Sequence, residues 1–197
     1  MVSESEKFYD QLTFVYPVID LFLRSQKRKL FRRLNDFPSG RILEIGVGNG
    51  THFKYYNKHK VVGIDTSRRM LKRASRHLKE NIEVLHMNGE DLVFPNADFD
   101  YVVLSHVITV VNDPEKLLEE VYRVLKPKGK VFILNHFTPN NWLMYLDNIF
   151  ESIAKRFFFA SVFDISDVRN IGKFNLVMEI NAGLFSYFKI LIYEKKV

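Results

Sequence analysis

The stretch that most constrains the fold is Arg41-Ile-Leu-Glu-Ile-Gly-Val-Gly-Asn-Gly50. Its first half is an apolar run that predicts a short buried strand, with Glu44 near its end. Three glycines then follow at alternate positions, Gly46, Gly48 and Gly50. A strand, a glycine turn and a helix in this order are typical of the nucleotide-binding corner of an open α/β sheet. The alternative is a glycine turn that binds nothing.

The spacing of the glycines distinguishes between two kinds of ligand. A dinucleotide fingerprint is Gly-x-Gly-x-x-Gly, whose third glycine packs a helix under a pyrophosphate. Here the third glycine comes one residue early, and Glu44 stands just before the first. S-adenosylmethionine has no phosphate but carries a cationic amino group and a cationic sulfonium, which suit the Glu44 carboxylate through water or backbone. The pattern therefore favours S-adenosylmethionine over a dinucleotide.

Length, charge and cysteine content limit the class of protein. A chain of 197 residues suits one domain with a full core. Cysteine is absent, and no His, Asp or Glu cluster has metal-ligand spacing, so we expect no metal site. A net charge of +6 favours an anionic partner, either nucleic acid or an acidic bilayer. The first residues lack an apolar signal core, and no apolar run reaches the roughly 18 residues of a spanning helix. We therefore expect a cytoplasmic protein, at most peripheral at the inner membrane face.

Strand and helix patterns alternate along the chain. Strands are predicted at 42–45, 61–65, 82–86, 99–105 and 130–135, followed by a pair at 176–180 and 185–193. Helices are predicted at about 17–34, 51–57, 67–78, from 113, at 142–159 and at 164–171. This alternation predicts an α/β, Rossmann-like, doubly wound sheet. One domain is expected, with a helical segment over the site (1–38), a cofactor core (39–137), a substrate-side helical insertion (138–172) and a closing strand pair (173–197).

Right-handed crossovers would bring the carboxyl ends of the parallel strands to one rim. Asp65 ends the second predicted strand, where a carboxylate can accept both ribose hydroxyls of a nucleoside. Its alternative role is to cap the helix that follows. Asn88 and Ser105 end later strands, so this rim is the predicted site.

The motifs between Arg41 and Phe137 resemble those of the class I S-adenosylmethionine-dependent methyltransferases. They are Leu43-Glu-Ile-Gly-Val-Gly-Asn-Gly50, Gly63-Ile-Asp65-x-Ser67, Met70-Leu71, Asn88-Gly-Glu-Asp-Leu92 and Arg123-Val-Leu-Lys-Pro-Lys-Gly129. The resemblance implies a seven-stranded sheet whose last strand is antiparallel, with S-adenosylmethionine at the switch point and S-adenosylhomocysteine as product. Relatives often carry an acid at the position of Asn88 to receive the adenine amino group. The amide oxygen of Asn88 can still accept that hydrogen bond.

A narrower resemblance links the chain to the bacterial phosphatidylethanolamine N-methyltransferases of the soluble, membrane-associating type. It rests on Tyr9-x6-Tyr16, Val107-Ile-Thr-Val-Val-Asn-Asp-Pro114, Leu134-Asn-His136 and Gly183-Leu-Phe-Ser-Tyr187. It implies methylation of a lipid amine, up to phosphatidylcholine, at an anionic membrane surface. Basic residues within 24–33 and aromatic residues within 142–159 would make the membrane contacts. For the basic segment, a solvated face on a packed helix is the alternative.

These patterns together give a set of candidate site residues. The cofactor candidates are Glu44, Gly46, Val47, Gly48, Gly50, Asp65, Thr66, Met70, Asn88, Gly89, Glu90, Ser105 and Tyr9. The acceptor amine must present a neutral lone pair, so His136, and after it His106, are the candidates to receive its proton. Tyr16, with Tyr9, could close over the cofactor, because aromatic faces favour a cation. A structural histidine and an aromatic anchor are the alternatives for these residues.

Three functions remain open from the sequence. The first is phospholipid N-methylation, and the second is methylation of an apolar small molecule such as a quinone precursor. The third is a nucleic-acid-binding protein on a methyltransferase fold, which the basic segment allows although no recognised nucleic-acid module is present. No obligate protein partner is indicated.

Overall fold

The computed structural model describes residues 16–136, 165–182 and 188–197, with side chains from Leu23 to Asn135 in the first range. Seven strands form one sheet. They are β1 (Arg41–Ile45), β2 (Lys60–Asp65), β3 (Ile82–His86), β4 (Phe99–Ser105), β5 (Leu125–His136), β6 (Phe174–Asn181) and β7 (Phe188–Lys195). Their spatial order is β3-β2-β1-β4-β5-β7-β6.

Strand direction follows the order expected of a doubly wound sheet. Strands β3, β2, β1, β4 and β5 pair in parallel, whereas β7 is antiparallel to both of its neighbours, β5 and β6. The predicted seven-stranded sheet with an antiparallel last strand is therefore confirmed. The chain crosses from one side of β1 to the other between β3 and β4, so the switch point lies between β1 and β4. Ligands bind beyond the carboxyl ends of the strands at such a point.

In the described ranges, three α-helices flank the sheet: α1 (Tyr16–Asn35), α2 (Arg68–Ala74) and α3 (Pro114–Val124). The last two begin at residues with capping side chains. Ser67 accepts a hydrogen bond from the Met70 N–H at 3.2 Å, and Asp113 accepts one from the Lys116 N–H at 3.0 Å. These bonds satisfy N–H groups of the first turn that have no partner inside the helix.

The core has two layers, one on each face of the sheet. Leu30, Phe31 and Leu34 of α1 and Ala74 of α2 pack on one face. The apolar residues of α3 lie on the other face, together with Ile165 and Val168. Ile165 begins the 3-10 turn Ile165–Asp167, and Val168 directly precedes the 3-10 turn Arg169–Lys173. Central strands covered on both faces are almost completely buried. In β1 every residue after Arg41 is buried, and in β4 every residue except Asp100 is. None of the helices in the described ranges combines the length and the hydropathy needed to cross a membrane.

Several predicted helices differ from those observed. The helix expected at 51–57 is a single 3-10 turn, Phe53–Tyr55, because Tyr56 is extended and ends it after three residues. The helix expected at 67–78 becomes a 3-10 turn after Ala74. The helix expected at 164–171 is replaced by the two 3-10 turns that follow Asp164. The aromatic helix predicted at 142–159 and the first residues of the last predicted strand lie outside the described residues.

Candidate cofactor and acceptor site

The glycine turn after β1 needs glycine at its alternate positions. Gly46, Gly48 and Gly50 have φ angles of 75°, 57° and 69°, in the left-handed region that disfavours side chains. A Cβ at Gly46 would lie 2.5 Å from Val107 Cγ2, and a Cβ at Gly50 would lie 2.8 Å from the Ala74 backbone. The turn is anchored to β2, because the Gly46 N–H donates to the Ile64 carbonyl at 2.8 Å. The predicted close approach of the next helix therefore holds at Gly50.

Asp65 connects the end of β2 to this turn. Its Oδ2 accepts from the Gly48 N–H at 2.8 Å, and its Oδ1 accepts from the Ser67 N–H at 2.9 Å. Burial raises the pKa of Asp65, while these two N–H groups act in the opposite direction. Each carboxylate oxygen can accept a further hydrogen bond, which is what a ribose diol requires. Asp65 thus orders the glycine turn and supports the residue that caps α2, while its ribose contact stays a prediction.

Glu44 lies in a buried polar cluster with His52 and Tyr56. Its side chain is 0% exposed, and the Tyr56 hydroxyl donates to Oε2 at 2.9 Å. His52 Nε2 lies 2.8 Å from Oε1 and 3.0 Å from Oε2. Burial, followed by the charge of Glu44, raises the pKa of Tyr56 well above its ordinary range. The His52 ring stacks on Phe31 at 5.0 Å, so the cluster also connects the turn to α1.

The structure shows which protein groups surround the Glu44 carboxylate. The side chain is fully buried, and its oxygens interact with the side chains of His52 and Tyr56. An effect on the cofactor through the backbone of the glycine turn stays a prediction.

The loop after β3 is held by its own polar groups. Asn88 Oδ1 accepts from the Glu90 N–H at 3.1 Å, and Glu90 Oε1 accepts from the N–H groups of Asn112 and Asp113 at 2.8 and 3.1 Å. A Cβ at Gly89 would lie 2.6 Å from a methyl carbon of Ile45. Gly89 and Glu90 therefore contribute to the structure of this loop, and the cofactor contacts of Asn88, Gly89 and Glu90 stay predictions.

Three further cofactor candidates lie near the turn. Val47 and Met70 are 1% exposed, so both pack in the core beneath the site. The carbonyl oxygen of Thr66 lies 2.8 Å from His86 Nε2. Ligand contacts of these residues stay predictions.

The carboxyl ends of β4 and β5 carry a second group of polar residues. His106 follows β4 with a φ of 59°, its N–H donates to the Leu134 carbonyl at 2.8 Å, and its ring lies 5.8 Å from that of Phe188. Ser105 is 8% exposed and Asn135 is 0% exposed. In the described part of the chain, neither Ser105 Oγ nor either polar atom of the Asn135 amide has a hydrogen-bond partner. Asn135 is not among the sequence candidates, although a polar residue directly after the apolar run 131–134 is a signal.

The side chains of three predicted residues, His136, Tyr16 and Tyr9, lie outside the described part of the structure. His136 ends β5 opposite Phe188, and Tyr16 begins α1, but the structure describes neither side chain. Tyr9 lies outside the described residues. Across the ranges 16–136, 165–182 and 188–197, no three His, Asp or Glu side chains come together as a metal site would require.

The basic residues of α1 do not form one uniform surface. Lys27 is buried, and Lys29 Nζ donates to the Asn181 carbonyl. Arg33 pairs with Asp36 at 3.0 Å. Lys29 is exposed as well, and the exposed arginines are Arg24, Arg28 and Arg32. Because they are four residues apart, these three arginines share one face of the helix.

Comparison with known proteins agrees with this geometry. Residues 43–133 match the family model of the methyltransferase domain. The chain contains a methyltransferase domain. Its cofactor is S-adenosylmethionine, and the residues at the switch point fit that molecule. Asp65 has acceptor capacity for a ribose, and its bond to the Gly48 N–H holds the glycine turn beside it.

The methyltransferase domain is similar to proteins with different acceptors. It is 39% identical over 104 residues to a phosphatidylethanolamine N-methyltransferase of Cereibacter sphaeroides, covering 50% of this chain and 51% of that protein. It is 36% identical over 108 residues to a demethylmenaquinone methyltransferase of Listeria welshimeri, covering 51% of this chain and 46% of that protein. The chain thus spans about half the length of these curated relatives.

The fold extends this similarity beyond the matched segment. A crystal structure of a methyltransferase from Thermotoga maritima, described as a possible histamine N-methyltransferase, superposes with a TM-score of 0.76 at 23% identity. The superposition covers 98% of this chain and 100% of the other. At this identity the likeness establishes the fold alone.

Proposed function

We propose that this chain transfers the methyl group of S-adenosylmethionine to the amine of phosphatidylethanolamine at a membrane surface. The observation that carries this proposal is the similarity to the Cereibacter sphaeroides enzyme, which at 39% identity exceeds that to the quinone enzymes. The order of short motifs in the sequence, including Leu134-Asn-His136, supports the same acceptor.

The described residues supply binding and positioning for such a reaction. When bound, S-adenosylmethionine supplies an electrophilic methyl group on a sulfonium. Asp65 would accept hydrogen bonds from the ribose, and its bond to the Gly48 N–H holds the glycine turn in register with β2. Holding the acceptor nitrogen in line and away from water provides most of the rate enhancement in such a displacement. His136, with His106 as second candidate, would receive the proton of the acceptor amine.

Membrane docking would use the exposed arginines of α1. Arg24, Arg28 and Arg32 lie on one helix face, and each basic residue near an anionic bilayer contributes about 1 kcal/mol. Because salt screens this attraction, binding to anionic vesicles should weaken as ionic strength rises.

A quinone precursor is the second candidate acceptor. It is favoured by the 36% identity to demethylmenaquinone methyltransferase, whose matched region has almost the same length.

The deciding experiment uses cofactor labelled in its methyl group. The purified chain is incubated with anionic vesicles containing phosphatidylethanolamine, and separately with demethylmenaquinone. We expect label in monomethylated and dimethylated lipid and in phosphatidylcholine. Label only in the quinone would replace the first proposal by the second, and an Asp65→Ala variant measures the background.

Docking is tested with two charge-matched variants. Replacing Arg28 and Arg32 by Gln should reduce flotation with anionic vesicles and turnover on them, and should spare turnover on detergent-dispersed lipid. The control replaces Lys116 of α3 and Lys128 in the first half of β5 by Gln. Both lysines are exposed, so this variant loses the same charge at another place and should change vesicle flotation and turnover little. Equal losses in both variants would show that overall charge, rather than the α1 face, governs binding.

A further inference from the structure

The Asn135 amide is one of the buried polar groups without a hydrogen-bond partner in the described residues, a set that also includes the ring nitrogens of His59. The Asn135 side chain is 0% exposed, and neither Nδ2 nor Oδ1 has a hydrogen-bond partner among the residues that the structure describes. Buried polar side chains are normally paired, because leaving one unpaired forfeits its hydrogen bonds to water. An apolar residue of similar size, such as the Leu134 that precedes it, would avoid that cost. The amide at this position therefore calls for a functional explanation.

Its position places it at the substrate side of the rim. Asn135 lies at the carboxyl end of β5, next to the strand end where Ser105 pairs with Leu134. Ser105 Oγ is also buried and has no hydrogen-bond partner in the ranges described. The Ser105 hydroxyl and the Asn135 amide, both without hydrogen-bond partners, thus lie at the ends of the adjacent strands β4 and β5. These ends are next to the switch point, where α/β proteins bind ligands.

The charges near Asn135 do not account for the amide. Its neighbour across the β5–β7 ladder is Lys189, and the Lys189 ammonium already pairs with Glu179 at 2.8 Å. A neutral amide offers one acceptor oxygen and two donor hydrogens. Such a group suits a ligand that presents an N–H beside an oxygen, as an ethanolamine phosphate head group does.

We propose that the Asn135 amide binds the methyl acceptor, with its oxygen accepting an N–H of the reacting amine and its NH2 group donating to a head-group oxygen. This assignment rests on the proposed function, because it takes the acceptor to be an amine. Asn135 does not take up the proton. It orients the nitrogen so that its lone pair faces the methyl group.

The chemistry of successive transfers gives this proposal a specific signature. In each transfer the nitrogen lone pair forms the new N–C bond as the C–S bond breaks. The electron pair remains on sulfur. In the first two transfers the nitrogen must then release one proton, whereas the third gives a quaternary ammonium with no proton to release. A neutral primary amine has two N–H groups, its monomethyl product has one, and its dimethyl product has none. The hydrogen bond to the Asn135 oxygen is therefore available for the first two transfers and absent in the third.

Asn135→Leu is the main test, because leucine has nearly the same shape without polar atoms. We expect an unfolding temperature equal to or above that of the wild type, and cofactor affinity within about twofold. We expect kcat/KM to fall about 10- to 100-fold on the primary amine and on the monomethyl lipid. On the dimethyl lipid the loss should be severalfold smaller. Asn135→Ala provides the same comparison if leucine prevents folding.

Tyr101→Phe is the matched control. Tyr101 is also buried, but its hydroxyl donates to the Pro38 carbonyl at 3.1 Å, far from the rim. Removing this paired hydroxyl should lower the unfolding temperature by a few degrees and leave kinetics within twofold. The two variants should therefore show opposite patterns.

Three results would overturn the proposal. They are a drop in unfolding temperature for Asn135→Leu with unchanged kinetics, a parallel loss of cofactor affinity, and equal losses on all three lipids. If wild-type protein methylates only demethylmenaquinone, the proposed function fails. The acceptor-binding role of Asn135 is then tested on that quinone, where unchanged kcat/KM in the leucine variant would overturn it as well.

Discussion

The cofactor end and the acceptor end of the rim differ in how their polar groups are paired. At the ends of β1 and β2, Glu44 and Asp65 each interact with two groups of the protein. At the ends of β4 and β5, Ser105 Oγ and the Asn135 amide have no hydrogen-bond partner within the described residues. The buried His52 Nδ1 at the cofactor end also lacks a hydrogen-bond partner in the described residues, so the two ends differ in degree. Glu44, His52 and Asp65 each keep at least one interaction, whereas Ser105 Oγ and the whole Asn135 amide have none.

Glu44 and Asn135 show this difference in hydrogen bonding most directly, because both side chains are 0% exposed. Burial alone does not distinguish a structural polar group from a binding group; its partners do. A paired group stabilises the fold and is costly to remove, whereas an unpaired one costs stability and is retained for another reason.

The largest expected effect is on the stability of the cofactor end. Glu44→Ala should lower the free energy of unfolding by about 3–5 kcal/mol, because it removes one partner of a buried, hydrogen-bonded pair. Urea denaturation measures this change. Glu194→Ala, which breaks a partly exposed pair with Lys130, should cost about 1 kcal/mol or less. Similar losses in the two variants would mean that the Glu44 cluster contributes no more than a surface ion pair.

Gly48→Val tests whether the glycine turn faces the ligand. A β-branched residue at a φ of 57° is strained, and its side chain would enter the space above the turn. We expect cofactor affinity to fall at least about 100-fold, or about 2.7 kcal/mol, by calorimetry. Gly172→Val is the control, because a Cβ at Gly172 would meet no atom within 4 Å in the described part of the chain. A folded Gly48→Val protein with normal affinity would show that the turn does not contact the cofactor.

Asp65→Ala should weaken cofactor binding by about 1–3 kcal/mol through lost charge-assisted hydrogen bonds. Calorimetry with unchanged affinity would remove Asp65 from the site.

The pH dependence of Asp65 provides a second measurement. Its pKa in the folded chain is raised above the ordinary 3.8, mainly by burial, so the folded state holds this proton more tightly than the unfolded state. Its contribution to stability is therefore fully present below pH 3.8 and is lost as pH rises through the folded pKa. Cofactor affinity should run the other way and fall as pH drops through that pKa, because ribose hydroxyls donate best to the ionised carboxylate. Asp65→Asn should flatten both profiles, and a profile unchanged in that variant would assign the titration to another group.

The smallest expected effect concerns two buried serines. Ser105→Ala should change the free energy of unfolding by less than about 0.5 kcal/mol, because no described residue bonds to its hydroxyl. Ser67→Ala removes the N-cap of α2 and should cost about 1 kcal/mol. If Ser105→Ala proved the more destabilising variant, the two ends of the rim would not differ as we infer.

Much of the cofactor end could be predicted from local patterns. The apolar strand, the alternate glycines and the acid that ends β2 predict a turn and a carboxylate at one rim, and both are observed. The helix predicted at 51–57 was wrong because apolar spacing does not reveal that the chain becomes extended at Tyr56. The contacts of Glu90 with the N–H groups of Asn112 and Asp113 could not be predicted either, because these partners are more than twenty residues away in the sequence.

The order of strands in the sheet, its switch point and the positions that must be glycine could be predicted from the sequence alone. These follow from hydrophobic periodicity and backbone conformation, which are local properties. Which polar side chains form hydrogen bonds depends on the tertiary structure, because strand register and packing bring the partners together. Glu44 and Asn135 are both single polar residues at the ends of apolar strands. Their opposite environments arise from what packs against β1 and β5, which no local pattern specifies.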